Sequence, residues 1–167
     1  MVGPGIHMPR SVYDQVIAHG LSRYPKEACG YLAGRAGGVV QQAYPMTNVE
    51  DSPIGYAMDP KEQLQVEKLM RQRGQRMVGI YHSHTASDAY PSSVDVRLAI
   101  SPDLSYVLVS LKDRARPAVR SFRIDGAEIT EEPVAAAVED EPEAEPGIVR
   151  ASKTEDNYYS QADATRL

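Results

Sequence analysis

One stretch constrains this chain more than any other: Gly79-Ile80-Tyr81-His82-Ser83-His84, followed by Pro91-Ser92-Ser93-Val94-Asp95. The apolar run 77–81, set off by Gly74, predicts a buried strand. Side chains alternate along a strand, so His82 and His84 present their imidazoles to one face and Ser83 points to the other. Ser92-Ser93 predicts a helix start, with a short helix over about 92–100 and Asp95 in its first turn. The chain must therefore run from a buried strand, through a loop, into a helix that begins opposite the strand's end. Two imidazoles and a facing carboxylate are the three protein ligands of a catalytic zinc, with a fourth position left for water. The pattern suits hydrolysis.

The histidine count prunes the alternatives, because the chain has only His7, His19, His82 and His84. Amidohydrolase barrels also open on a His-x-His strand, but they need further histidines and about 250 residues. Metallo-β-lactamase-like enzymes place an aspartate and another histidine just after the pair, where this chain has Thr85 and Ala86. Zinc deaminases need His-x-Glu and paired cysteines. A mononuclear site completed by a carboxylate fits best. Asp95 is ambiguous on its own, since Ser92-x-x-Asp95 is also a capping box that needs no metal. Asp88 is a rival carboxylate in the loop. Glu27 is a candidate general base or, more plainly, a surface carboxylate at a strand end. Cys29 is a candidate nucleophile with no spare histidine to activate it, or a small buried strand residue.

Length and charge bound the rest. A chain of 167 residues suits one domain, and a single cysteine excludes a disulfide framework and any all-cysteine metal site. No apolar run approaches a membrane span and the N-terminus lacks signal-peptide order, so the expectation is a cytoplasmic protein with no membrane partner. Up to Glu132 there are 15 acidic and 15 basic residues, and beyond it 8 acidic and 3 basic, which puts the whole net charge of -5 in the tail. A nucleic-acid binder carries a basic stripe instead, so no nucleic-acid partner is expected.

The remaining pattern predicts a helix over 11–24 capped by Ser11, a strand over 27–33 and a hairpin partner over 39–44. Asp59-Pro60-Lys61-Glu62 predicts a second helix, running to about Arg73 and stopped by Gly74. Strands follow over 105–111, 118–124 and 127–130, the last two turning at Asp125-Gly126. The mixed order predicts an α/β (α+β) fold of three layers around one mixed sheet. The division is a domain over 1–132 and an acidic, proline-interrupted, disordered tail over 133–167.

His82-Ser83-His84, seven residues, Ser92, two residues and Asp95 together resemble the signature of the JAMM (MPN+) metalloprotease family. Glu27, in Glu-Ala-Cys-Gly, sits where that family has a glutamate on an early strand. The resemblance covers about residues 6–132 and implies a cytidine-deaminase-like mixed sheet flanked by helices. It implies that His82, His84 and Asp95 hold Zn2+, that Glu27 is the general base, and that Ser92 donates to the developing oxyanion. The absence of a long insertion after Asp95 resembles the compact prokaryotic branch. That branch implies a ubiquitin-like or sulfur-carrier protein as substrate, cleaved after its C-terminal Gly-Gly to release cysteine or a conjugated protein. The protein itself is read as a monomer or homodimer. Arg71, Arg73 and Arg76 are either a patch for an acidic partner or a solvated helix end. Two alternatives stay open: a non-catalytic zinc module that binds such a carrier, and a peptidase for small peptides or amides.

Overall fold

A computed structural model describes residues 4–137. In order, the chain forms β1 (Ile6–Pro9), α1 (Arg10–Arg23), β2 (Cys29–Arg35), β3 (Val39–Met46), α2 (Pro60–Gln72), β4 (Arg76–His84), α3 (Ser93–Leu98), β5 (Ser105–Ser110), β6 (Ala118–Asp125), β7 (Glu128–Glu132) and β8 (Val134–Ala137). All eight strands join one mixed sheet, ordered β7-β6-β5-β4-β2-β3-β1-β8. β4 lies near its middle, antiparallel to β2 and parallel to β5. Parallel neighbours need a crossover. Here α3 lies on that crossover, which is why the end of β4 opens onto the start of a helix.

Strand alternation sorts the two faces. Tyr81 packs with Val12, Val16, Leu32 and Val107 on the α1 side. Ile80 packs with Tyr31, Met70 and Tyr106 on the side of α2 and α3. This gives the expected three layers, with His82 and His84 in phase with Ile80. Gly30, opposite Tyr81 in the β2–β4 ladder, leaves room for the Tyr81 ring: a Cβ there would lie 2.4 Å from Tyr81 Cε1.

Local signals explain most element ends. Asp59 caps α2 by accepting from the Lys61 and Glu62 amides, and Pro60 opens the helix. Gly74, at φ 64°, takes the left-handed turn that ends it. The Glu62 carboxylate turns outward and accepts from the Thr47 amide and hydroxyl, both at 2.7 Å, fastening α2 to the end of β3.

Three expectations need correction. Ser11 does not cap α1: the helix begins at Arg10 with Pro9 at its N-cap and no side-chain cap. α3 stops at Leu98, because the Ile100 and Ser101 amides bond to the Tyr106 hydroxyl instead of continuing the helix. The sheet runs past Glu132, into the span read as tail. Val134–Ala137 forms β8, paired in parallel with β1 from Ile6↔Val134 to Pro9↔Ala137. The run Val-Ala-Ala-Ala carries little strand signal of its own, and β1 supplies the ladder that makes it one. The acidic run 139–146 and the rest of the tail lie outside the described residues. No helix among the described residues is long and apolar enough to cross a membrane.

Candidate metal centre and cleft

The end of β4 and the start of α3 bring three donors together. His82 Nε2 lies 3.1 Å from His84 Nε2 and 3.1 Å from Asp95 Oδ1, and His84 Nε2 lies 3.2 Å from Asp95 Oδ2. The side chains are 4 %, 6 % and 13 % exposed. Donors about 2.0–2.1 Å from a tetrahedral ion stand roughly 3.3 Å apart, so this spacing fits one small divalent cation. The two imidazoles and the carboxylate are placed to bind a metal.

Two of the three donors are aimed by a hydrogen-bonding neighbour. His84 Nδ1 lies 2.9 Å from the Asp88 carbonyl, which fixes the proton on Nδ1 and leaves Nε2 as the lone-pair donor. Ser92 N–H donates to Asp95 Oδ2 at 2.7 Å, while Asp95 N–H donates to Ser92 Oγ at 3.1 Å. Asp95 is therefore both a capping-box partner and a member of the donor group, and the two readings of Ser92-x-x-Asp95 coincide in one residue. Ser92 Oγ accepts from that amide and lines the cleft, and the cap makes no use of its hydroxyl proton. Ser83 faces the other way: its Oγ accepts the buried Ala28 N–H at 2.8 Å, tying β4 to the entry of β2.

The electrostatics follow from burial against contact. Burial disfavours the ionised Asp95, but hydrogen bonds from His82 and His84 outweigh it and hold the carboxyl well below its usual range. Burial pushes the His82 imidazole down. Burial also opposes a charged His84, but its bonds to Asp95 and to the Asp88 carbonyl prevail and raise it. Glu27 precedes β2 in phase with Cys29 and Tyr31, is 6 % exposed, and lines the same cleft. Its carboxyl is raised to about 7, chiefly by burial; His84 pulls it down, and Asp95 and Glu50 push it up. A carboxyl poised there can accept and return a proton near neutral pH.

Two rivals fall away. The Asp88 carboxylate points outward to Lys112 Nζ at 3.3 Å, and only its backbone carbonyl serves the site. Cys29 is fully buried and its thiol is pushed up to about 12, chiefly by burial with Glu27 and Glu62 adding to it, which makes it inert as a nucleophile. Arg73, part of the basic group, is engaged within the fold by Gln42 and Tyr44.

A cleft of about 270 Å³ opens over the group. Its walls include Pro53, Ile54, Gly55 and Tyr56 on one side and Ser92, Val94 and Leu98 on the other. The Tyr56 ring lies against the His82 ring, centroids 4.6 Å apart and planes tilted by 33°. The segment between β3 and α2 carries no periodicity, so its wall of the cleft and the Tyr56 contact gave no signal in the sequence.

A family model described as prokaryotic homologs of the JAB domain matches residues 9–125. The chain belongs to this family. A CysO-cysteine peptidase of Mycobacterium tuberculosis is 49 % identical over 122 residues, covering 72 % of this chain and 84 % of that protein. A probable TtuB-protein conjugate cleaving protease of Thermus thermophilus is 36 % identical over 95 residues, covering 56 % of this chain and 63 % of that protein. Among solved structures, a protein from Desulfitobacterium hafniense superposes with a TM-score of 0.74 at 40 % identity, covering 81 % of this chain and 95 % of the other. A JAB1/MPN domain protein from Archaeoglobus fulgidus shares the fold at 15 % identity and a TM-score of 0.53, covering 81 % and 99 %. The resemblance read from the motif thus holds at the level of the family, and the chain is an enzyme of the JAMM metalloprotease type.

Proposed function

We propose that this chain is a zinc-dependent peptidase that hydrolyses the bond after the C-terminal Gly-Gly of a ubiquitin-like or sulfur-carrier protein. The product released is cysteine or a conjugated protein. The observation that carries the reading is the pairing of the donor group with a buried carboxylate raised to about 7 in one cleft. The relative named for peptidase action on CysO-cysteine supports the substrate class.

His82, His84 and Asp95 would hold the zinc, which when bound supplies a Lewis acid for the scissile carbonyl and makes water more acidic. Glu27 takes a proton from the attacking water on its carboxylate and returns it to the leaving amine, so the residue ends each turnover ionised. Ser92 Oγ–H donates to the oxygen on which negative charge develops. The Asp88 carbonyl keeps the His84 proton on Nδ1 throughout.

The test is incubation of the zinc-loaded protein with a Gly-Gly-ended carrier extended by one cysteine, beside Glu27→Gln, read by intact mass. Loss of one cysteine with wild type alone is the expected result. No loss at full zinc occupancy would refute the carrier-adduct reading. Equal loss with Glu27→Gln would refute the assignment of the base.

A further inference from the structure

Asn48 lies near the start of the segment between β3 and α2 and is 5 % exposed. Its Nδ2 donates to two carbonyls, Glu27 O and Gly55 O, each at 3.1 Å. Its Oδ1 accepts from two amides, Glu50 N and Ala57 N, each at 3.1 Å. A carboxamide offers two donor hydrogens and two acceptor lone pairs, so this one is saturated, and all four partners are backbone groups. Closing the turn alone would need only the two accepted bonds, together with the Val49 N–H to Ala57 carbonyl bond at 2.8 Å. The donated bonds do something else. They tie the entry of β2, which carries Glu27, to the strap 55–57, which carries Tyr56 against His82. A second strand of the same tie runs from Glu27 N–H to the Ser52 carbonyl at 2.9 Å.

We propose that Asn48 is a positioning residue for the hydrolysis. It fixes the Glu27 end of β2 and the Tyr56 strap in one relation across the cleft, and so sets where the Glu27 carboxylate stands against His82, His84 and Asp95. The inference rests on the peptidase reading given above. It also explains why a buried polar side chain sits beneath a loop that apolar packing could have closed: a buried carboxamide is stable only when all its bonds are made, and making them locks four backbone groups together.

The experiment compares wild type, Asn48→Ala and Val16→Ala, the last an unrelated core truncation on the α1 face that controls for lost stability. All are zinc-loaded full chains acting on the carrier extended by one cysteine. In Asn48→Ala, kcat per bound zinc falls about 10- to 100-fold, the scale that a misplacement of about 1 Å can cost, while KM moves by less than about threefold. Val16→Ala loses unfolding midpoint but keeps kcat per bound zinc. Amide hydrogen exchange gives a readout independent of turnover: the Glu27 amide speeds up together with the Glu50 and Ala57 amides in Asn48→Ala. Unchanged kcat per bound zinc, a matching loss in Val16→Ala, or faster exchange at Ala57 with none at Glu27 would each overturn the proposal. If wild type fails to cleave the carrier, the functional reading falls, and exchange at Glu27 still decides whether Asn48 holds the base.

Discussion

Replacing Glu27 by Gln should make the metal-free protein more stable at the same time as it abolishes turnover. The carboxyl is raised from an ordinary 4.5 to about 7, mainly by burial. A raised folded-state value means that the protonated carboxyl favours folding relative to the ionised one. That contribution is complete below pH 4.5, where the unfolded chain is also protonated, and is lost as pH rises to about 7. At about 1.36 kcal/mol per pH unit, the loss is about 3 kcal/mol. Glutamine has the same shape and no charge, so it removes the penalty. Urea unfolding of chelator-treated wild type and Glu27→Gln at pH 4.5 and 8 reads the difference directly. The two proteins should be similar at the lower pH, and the variant should gain about 3 kcal/mol at the higher. His82, His84 and Asp95 are present in both proteins, so the comparison reads Glu27 together with its interactions with His84 and Asp95. Parallel pH profiles for the two proteins would refute the claim that Glu27 is held buried and strained toward its neutral form, and with it the argument for a base poised near neutrality.

Three further perturbations test the site's construction. Asp95→Ala should strip the metal and cost α3 one half of its capping box, the bond from Ser92 N–H, while the Ser92 Oγ cap remains; full zinc content by elemental mass spectrometry would remove Asp95 from the donor set. Ser92→Ala should keep zinc but lower kcat about 100-fold or more for want of an oxyanion donor, and normal turnover at full zinc would reduce Ser92 to a helix cap. Ser83→Ala leaves the Ala28 N–H buried without its partner at 2.8 Å, which should cost about 1–3 kcal/mol in urea unfolding with zinc content unchanged. An unchanged midpoint there would mean that another acceptor takes the amide.

Much of this site is local in the chain and so was written in the sequence. A strand's two-residue repeat puts His82 and His84 on one face, and a Ser-x-x-Asp start puts Asp95 in a first helical turn, whatever the rest of the molecule does. Asp59-Pro60 and Gly74 likewise mark both ends of α2 through backbone preferences that need no tertiary partner. Contacts between segments far apart in sequence were decided by the tertiary structure. Glu27 reads as a surface carboxylate until β2 is laid against β4, Cys29 opposite His82, and burial raises its carboxyl. Asp88 looks like a ligand, yet its backbone carbonyl is the group that matters. Val134–Ala137 becomes a strand only because β1 offers a ladder beside it. Asn48 and Tyr56 carry no periodic signal at all, since a loop's conformation is set by the partners it finds. The sequence determined which donors could share a metal; packing determined how deeply Glu27 is buried beside them, and therefore where its carboxyl titrates.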